Sequence, residues 1–143
     1  MNLLTRSTLL HLRFPFSLFL LPVFIFAVSQ SRVADPVSCV VVFLVWHLFV
    51  YPASNGYNSY FDKDTQSIAL LKHPPPVDKG LYHTSLLLEL TGLLLALLVN
   101  TEFCFSVFLY GLLSKLYSHP VVRLKKYPVL SFLVVFIFQG AFV

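Results

Sequence analysis

Charged side chains are scarce in this sequence. Asp, Glu, Lys and Arg make up 11% of its 143 residues, whereas 57% are hydrophobic and the mean hydropathy is +0.80. A soluble domain is usually about a quarter charged and about half apolar. The deficit argues against a soluble globular domain and predicts an integral membrane protein. The aromatic content of 16% suits lipid-facing and interfacial positions.

Cysteine is also rare, with only Cys39 and Cys104, and both lie within apolar stretches. Neither forms a Cys-x-x-Cys pair or has a histidine at metal-ligand spacing, so we interpret both as small buried hydrophobic residues. His73 and His83 lack a partner pattern for catalysis or zinc and are assigned structural roles. Neither the two cysteines nor these two histidines are therefore candidates for catalysis or metal binding.

Five apolar segments predict transmembrane helices, because about 20 residues at about 1.5 Å per residue cross about 30 Å of hydrocarbon. We expect Pro22 to kink the first segment and Pro52 to lie near the end of the second. The fifth is short, about 22 Å of helix from Val129, which we interpret as truncation within a helix. The segments are residues 12–30, 36–53, 82–99, 102–117 and 128–143.

The basic residues predict the topology. With a cytoplasmic N-terminus, nine of the ten Lys and Arg residues fall on the cytoplasmic side and only Arg32 falls outside. An alternative interpretation treats residues 14–28, preceded by two arginines, as a signal peptide. The cytoplasmic set is Arg6, Arg13, Lys63, Lys72, Lys79, Lys115, Arg123, Lys125 and Lys126.

A polar island at residues 55–64 separates two of these apolar segments. If it is helical, Asn55, Asn58 and Asp62 share one face at spacings of three and seven residues. Asp64 joins them only if the helix ends or bends there. Carboxylate and amide oxygens are ligands for hard cations such as Mg²⁺, which usually share their coordination with phosphate. The alternative, that these residues merely cap the helix and solvate its loop, stays open.

Basic residues on the same predicted face suit a phosphate ligand. Lys72 precedes a proline-rich stretch at 74–76, and the loop 116–128 carries Arg123, Lys125 and Lys126. Such cations hold phosphate oxygens, although they equally suit positive charges that set topology. Glu89 lies alone within the third segment and is a candidate lining residue without an assigned role.

These motifs resemble those of the UbiA-type membrane prenyltransferases. Residues 51–64, followed by 72–75, resemble the first Asp-rich motif of that family, and residues 116–118, 123–126 and 139–141 resemble its Tyr-x(n)-Lys-Arg loop and following helix. The resemblance implies an all-α membrane fold of about nine helices around a central cavity, of which residues 1–143 form the N-terminal half as one partial domain. It also implies Mg²⁺-dependent prenyl transfer from an isoprenoid diphosphate to a lipophilic acceptor, aromatic or a quinone precursor, in an inner membrane.

The resemblance also implies the site residues. Metal ligation is expected from Asn58, Asp62 and Asp64. Diphosphate binding is expected from Asn55, Lys72, Arg123, Lys125 and Lys126.

Two departures from the family pattern limit that expectation. Asn55-Gly56 stands where the family usually has Asn-Asp, and a second Asp-rich motif is not found in these residues. We therefore expect the chain to be inactive alone and to need a C-terminal half. The alternatives are a non-catalytic membrane remnant, half of a split membrane assembly, or a small transporter or channel subunit.

Overall fold

The computed structural model describes residues 3–31 and 35–137, and these residues are helical apart from turns and connections. The predicted all-α class is confirmed. The α-helices are α1 (Arg6–Leu12), α2 (Phe14–Ser17), α3 (Leu21–Gln30), α4 (Pro36–Leu44), α5 (Tyr51–Asp62), α6 (Lys79–Ala96), α7 (Thr101–Ser118) and α8 (Pro128–Val135).

Two of the helical stretches are long and apolar enough to cross a membrane, Arg6–Gln30 and Pro36–Asp62. Both extend beyond their predicted bounds. The first begins at Arg6 rather than at residue 12, and the second continues to Asp62 rather than stopping at residue 53. The other helices lie near the predicted segments 82–99, 102–117 and 128–143. Their spanning of a membrane stays a prediction.

The first stretch is broken at two points. Arg13 adopts a left-handed conformation (φ 49°, ψ 48°), which ends α1 and redirects the chain into α2. A 3-10 turn at Leu18–Leu20 then leads into α3, whose first turn contains Pro22. Proline fits a first turn because its missing N–H has no intrahelical partner there. Where a kink was predicted at Pro22, the structure thus has a 3-10 turn that ends two residues before this proline.

The second stretch contains Pro52 in its interior. A π-helical turn at Val45–Val50 precedes this proline, and the Tyr51 N–H donates to the carbonyl of Trp46, five residues back. Proline cannot donate a helical hydrogen bond, and its ring crowds the carbonyl four residues before it. The wider π turn accommodates that crowding, so the helix continues through Pro52 to the polar island.

The buried core lies where this π turn meets α6 and α7. It contains Trp46, Val50 and Tyr51 from the second stretch, and Val107 and Tyr110 from α7. Close approach between helices depends on Gly56 in α5. A Cβ atom there would lie 2.9 Å from Leu12 Cδ2 and 3.1 Å from Leu81 Cδ1. The small residue thus lets α5 pack against both α1 and α6.

The N-terminal helix is fastened to the start of α6 through Asp78. The Asp78 carboxylate accepts hydrogen bonds from Thr5 Oγ1, Thr8 Oγ1 and the Leu81 N–H, and it caps α6. Burial opposes ionisation of this carboxyl, but the hydrogen bonds outweigh that effect and hold the pKa of Asp78 below its ordinary value. His11 Nε2 also lies 2.8 Å from the Pro75 carbonyl, so the proline-rich loop is fixed against α1.

Candidate functional site

Four of the predicted site residues meet at the end of α5. Lys125 Nζ forms an ion pair with Asp62 Oδ1 and lies 3.1 Å from Asn58 Oδ1. Arg123 Nη2 lies 3.5 Å from the same Asp62 oxygen. Ser118 Oγ donates to Asn58 Oδ1 at 2.7 Å. We call Asn58, Asp62, Arg123 and Lys125 the acid–base cluster.

Local backbone geometry brings the two halves of this cluster together. The helix α5 ends at Asp62, where Lys63 turns left-handed (φ 50°) and its N–H returns to the Ser59 carbonyl at 3.0 Å. After α7, a tight turn runs through left-handed Arg123 (φ 44°) into the 3-10 turn Leu124–Lys126. A carboxylate at the negative end of a helix dipole is unfavourable, so the cations opposite it offset that cost.

The acid–base cluster is shielded from solvent to an intermediate degree. The side chains of Asp62 and Lys125 are 14% and 17% exposed, whereas Arg123 is 39% exposed. Ion pairs in such a partly desolvated setting are stronger than those on an open surface. Arg123 is therefore the more exposed cation of the cluster and Lys125 the more buried one.

A cavity of about 240 Å³ opens beside the acid–base cluster, and we call it the front cavity. Its polar walls come from α5 and α7, and α8 contributes two apolar side chains. Asn58 belongs to both the cluster and the cavity wall, so it joins the cavity to Lys125. The lining residues are Arg13, Ser54, Asn55, Asn58, Tyr110, Leu113, Ser114, Tyr117, Ser118, Val134 and Val135.

Arg13 is the site residue that sequence reasoning missed, since it was read only as a topogenic charge. Its left-handed backbone directs the guanidinium into the front cavity, where Nη2 lies 3.4 Å from the Asn55 carbonyl. Nε is buried without a hydrogen-bond partner among the described residues, and the carboxylates of Asp64 and Asp62 act electrostatically on the guanidinium. A lone cation inside an apolar stretch is a functional signal that could have found it.

The remaining predicted residues are placed differently. Asn55 lines the front cavity, with Nδ2 lying 3.4 Å from the Leu12 carbonyl. Asp64 is exposed beyond the end of α5, so of the two island carboxylates only Asp62 enters the acid–base cluster. Lys72 and Lys126 are exposed, and within the described residues neither forms an ion pair with the cluster. Residues 139–141 lie outside the described residues.

Glu89 does have a partner in the structure. It forms an ion pair with Lys115 of α7, and the Lys115 ammonium also lies 5.8 Å from the centre of the Tyr57 ring. Gly111 faces this pair, because a Cβ atom there would overlap the Glu89 carboxylate. A charged pair between two apolar helices fixes their relative position. Glu89 therefore joins α6 to α7, and its place in a cavity wall stays a prediction.

The donor set at the cluster suits Mg²⁺ only in part. Across residues 3–31 and 35–137, no group of three or more His, Cys, Asp or Glu side chains is arranged to hold a metal. Asn58 Oδ1 and Asp62 Oδ1 do already share one cation, the ammonium of Lys125. Mg²⁺ is commonly held by one or two carboxylates with phosphate oxygens and water. The residues present therefore fit a Mg²⁺ ion that arrives with a phosphate ligand.

No protein-family model matches the chain, and comparison with curated proteins and with solved structures found no significant match. The front cavity and the acid–base cluster are therefore the features from which a function can be inferred.

Proposed function

We propose that the protein is embedded in a membrane with the acid–base cluster at its cytoplasmic boundary. Large apolar side chains remain exposed on several helices, including Phe26, Leu98 and Phe132, each at least 65% exposed. Two aromatic residues, Tyr60 and Phe61, directly precede Asp62 of the cluster. The rings of Tyr60 and Tyr82 lie 5.2 Å apart, as expected of an interfacial belt. The distribution of basic residues supports a cytoplasmic N-terminus and cytoplasmic loops.

The function we propose is binding of an isoprenoid diphosphate and transfer of its prenyl group to a lipophilic acceptor, as in UbiA-type prenyltransferases. The observation that carries the proposal is the junction of the acid–base cluster with the front cavity. Two cations converge on the Asp62 carboxylate, and Lys125 also contacts Asn58, which lines a cavity whose α8 wall is apolar. A diphosphate with an apolar tail matches that change in polarity.

The side chains of the cluster have separate roles in this proposal. Arg123 offers a planar fork to phosphate oxygens, and Lys125 offers a point charge deeper in the site. Arg13 approaches the same ligand from the opposite wall. Mg²⁺, held by Asn58 and Asp62 together with phosphate oxygens, would neutralise the charge that the leaving diphosphate acquires. Three side-chain cations then surround the leaving group, which lowers the free energy of its departure.

Binding of farnesyl diphosphate to the 143-residue chain in lipid nanodiscs tests the proposal. Lys125→Gln should weaken binding on the order of tenfold, because it removes one charge-assisted hydrogen bond. Lys79→Gln is the matched control, since it removes one exposed Lys outside the cluster. Asp62→Asn should weaken binding only when Mg²⁺ is present, because the carboxylate repels a metal-free diphosphate. Equal affinities for wild type, Lys125→Gln and Asp62→Asn with Mg²⁺ would contradict the proposal.

A structural role for the same cluster is the second candidate function. It is favoured by the closed pairing of Asp62 with both Lys125 and Arg123, which joins the end of α5 to the turn after α7. In that case Asp62→Asn lowers the unfolding midpoint while no diphosphate binds to the wild type. The same preparation therefore separates a binding protein from a non-catalytic one.

A further inference from the structure

Three cavities follow one another along the second helical stretch. The front cavity shares Ser54, Asn55 and Tyr110 with a smaller middle cavity of about 120 Å³. The middle cavity shares Tyr51 with a rear cavity of about 340 Å³. These shared residues border the cavities on both sides, so the three cavities lie next to one another. The acid–base cluster thus stands at one end of a row of cavities whose largest member is at the other end.

Tyr51 is the partition between the middle and rear cavities. Its ring stacks on Trp46 with centroids 5.2 Å apart, and it meets the Tyr110 ring edge-on at 5.8 Å. The residue is buried, at 5% exposure, so its ring is held in place rather than free to swing. An apolar chain that enters from the front cavity meets this ring before it can reach the rear cavity.

The π turn explains why Tyr51 occupies that place. In an α-helix of 3.6 residues per turn, residues five apart point in different directions. Within the π turn the hydrogen bond runs from the Tyr51 N–H to the Trp46 carbonyl, which brings the two side chains over one another. The distortion that accommodates Pro52 thus also places the aromatic partition across the row of cavities.

The rear cavity is suited to an apolar chain. Phe24, Val28, Val42 and Trp46 contribute apolar walls, and the polar groups Asp35 and Asn100 already cap α4 and α7 through their side chains. Trp46 is the only tryptophan in the chain. Because Trp46 lines the rear cavity, we expect its emission to change when that cavity is occupied.

We propose that Tyr51 sets the maximum length of the isoprenoid chain, by closing the rear cavity to a ligand whose polar end lies at the acid–base cluster. This inference rests on the proposed function for its ligand class. Short prenyl chains fit within the front and middle cavities. Longer chains require the space behind Tyr51.

The test uses the full chain in nanodiscs with geranyl, farnesyl and geranylgeranyl diphosphates, measuring affinity and Trp46 emission. The wild type should bind the two shorter ligands without a change in Trp46 emission. Tyr51→Ala should raise affinity for geranylgeranyl diphosphate relative to farnesyl diphosphate on the order of tenfold, a typical value for space in an apolar pocket. Trp46 emission should then respond to the longer ligand. Tyr51→Phe keeps the ring and should preserve the wild-type preference.

A second variant checks that the gain comes from the rear cavity. Cys39 lines that cavity, so Cys39→Phe added to Tyr51→Ala should restore the preference for short chains. If Tyr51→Ala does not fold, Tyr51→Leu replaces it and should give the same direction of change. An unchanged length preference in the folded variant, or a wild type that already accepts geranylgeranyl diphosphate with a Trp46 response, would overturn the proposal.

The corresponding isoprenoid alcohols separate this inference from the proposed function. They carry the same chains without the diphosphate. If no diphosphate binds but the alcohols show a length limit that depends on Tyr51, the proposed function is wrong and the role of Tyr51 is supported. If the diphosphates bind but the length preference of neither ligand series depends on Tyr51, the role of Tyr51 is wrong and the proposed function is supported.

Discussion

Gly111→Ala should destabilise the wild-type protein but stabilise a variant that lacks Glu89. The Glu89–Lys115 ion pair occupies the space beside Gly111, and a Cβ atom at that position would lie 2.9 Å from Glu89 Cδ and closer still to the carboxylate oxygen. Glu89 can move away, since its end is flexible, but only by leaving Lys115. Gly111→Ala therefore breaks an ion pair rather than compressing a rigid core.

The magnitude follows from the burial of the pair. The side chains of Glu89 and Lys115 are 15% and 27% exposed, so the pair is neither fully exposed nor fully buried. An exposed ion pair contributes about 0–1 kcal/mol, and disruption of a fully buried pair costs about 3–5 kcal/mol. We therefore expect loss of the Glu89–Lys115 pair to cost about 2 kcal/mol. Replacing Gly by Ala within a helix contributes about 1 kcal/mol of stability. Gly111→Ala should then lower the free energy of unfolding by about 1 kcal/mol in the wild type.

In a Glu89→Ala background the same substitution has no ion pair to break. Gly111→Ala should there raise the free energy of unfolding by about 1 kcal/mol, so its effect reverses. The measurement is denaturant unfolding of the four proteins in detergent micelles, followed by circular dichroism.

Gly92→Ala provides the control. Its Cβ atom would lie 3.1 Å from Phe49 Cβ and from Val50 Cγ2, which do not depend on Glu89. Gly92→Ala should therefore change the free energy of unfolding by the same amount in both backgrounds. An equal effect of Gly111→Ala with and without Glu89 would contradict the prediction.

Two further predictions concern the packing of the N-terminal helix. Asp78→Asn removes the charge of a carboxyl whose pKa lies below its ordinary 3.8 in the folded protein. The ionised Asp78 carboxylate contributes its full stabilisation above about pH 5, and this stabilisation is lost as the pH falls below 3.8. The difference in unfolding midpoint between wild type and Asp78→Asn should therefore shrink as the pH is lowered through this range. A difference that does not depend on pH would contradict this prediction. Gly56→Ala should lower the free energy of unfolding by about 1–3 kcal/mol, because the added Cβ atom would overlap side chains of α1 and α6. Unchanged thermal unfolding would contradict this prediction and show that these helices can move apart at no cost.

Part of the candidate site could be predicted from local sequence. The spacing of Asn55, Asn58 and Asp62 gives one helix face wherever the backbone is α-helical, and α5 is helical over that interval. The helix also ends at Asp62, as the sequence allowed, although Asp64 stays exposed outside the acid–base cluster. These features depend only on residues close in sequence, so periodicity is enough to anticipate them.

Other features could not be predicted because they depend on distant residues. Proline at 52 suggests the end of a helix, but the π turn before it lets the helix continue for a further ten residues to Asp62. Arg13 reads as a topogenic charge until its left-handed backbone places it opposite Asn55. Glu89 acquires a role only when α7 brings Lys115 beside it.

Composition and periodicity alone indicate the all-helical class, the approximate positions of the helices and the polar face of α5, because these features depend on which residues along a local segment are buried. Only the packed structure shows that Lys125 and Arg123 share one oxygen of Asp62, and that Tyr51 lines both the middle and the rear cavity. Such contacts depend on how helices pack across long sequence separations, where a glycine, a left-handed residue or a π turn changes which side chains meet. The polar island can be recognised in the sequence, but the residues that contact it can be identified only in the folded structure.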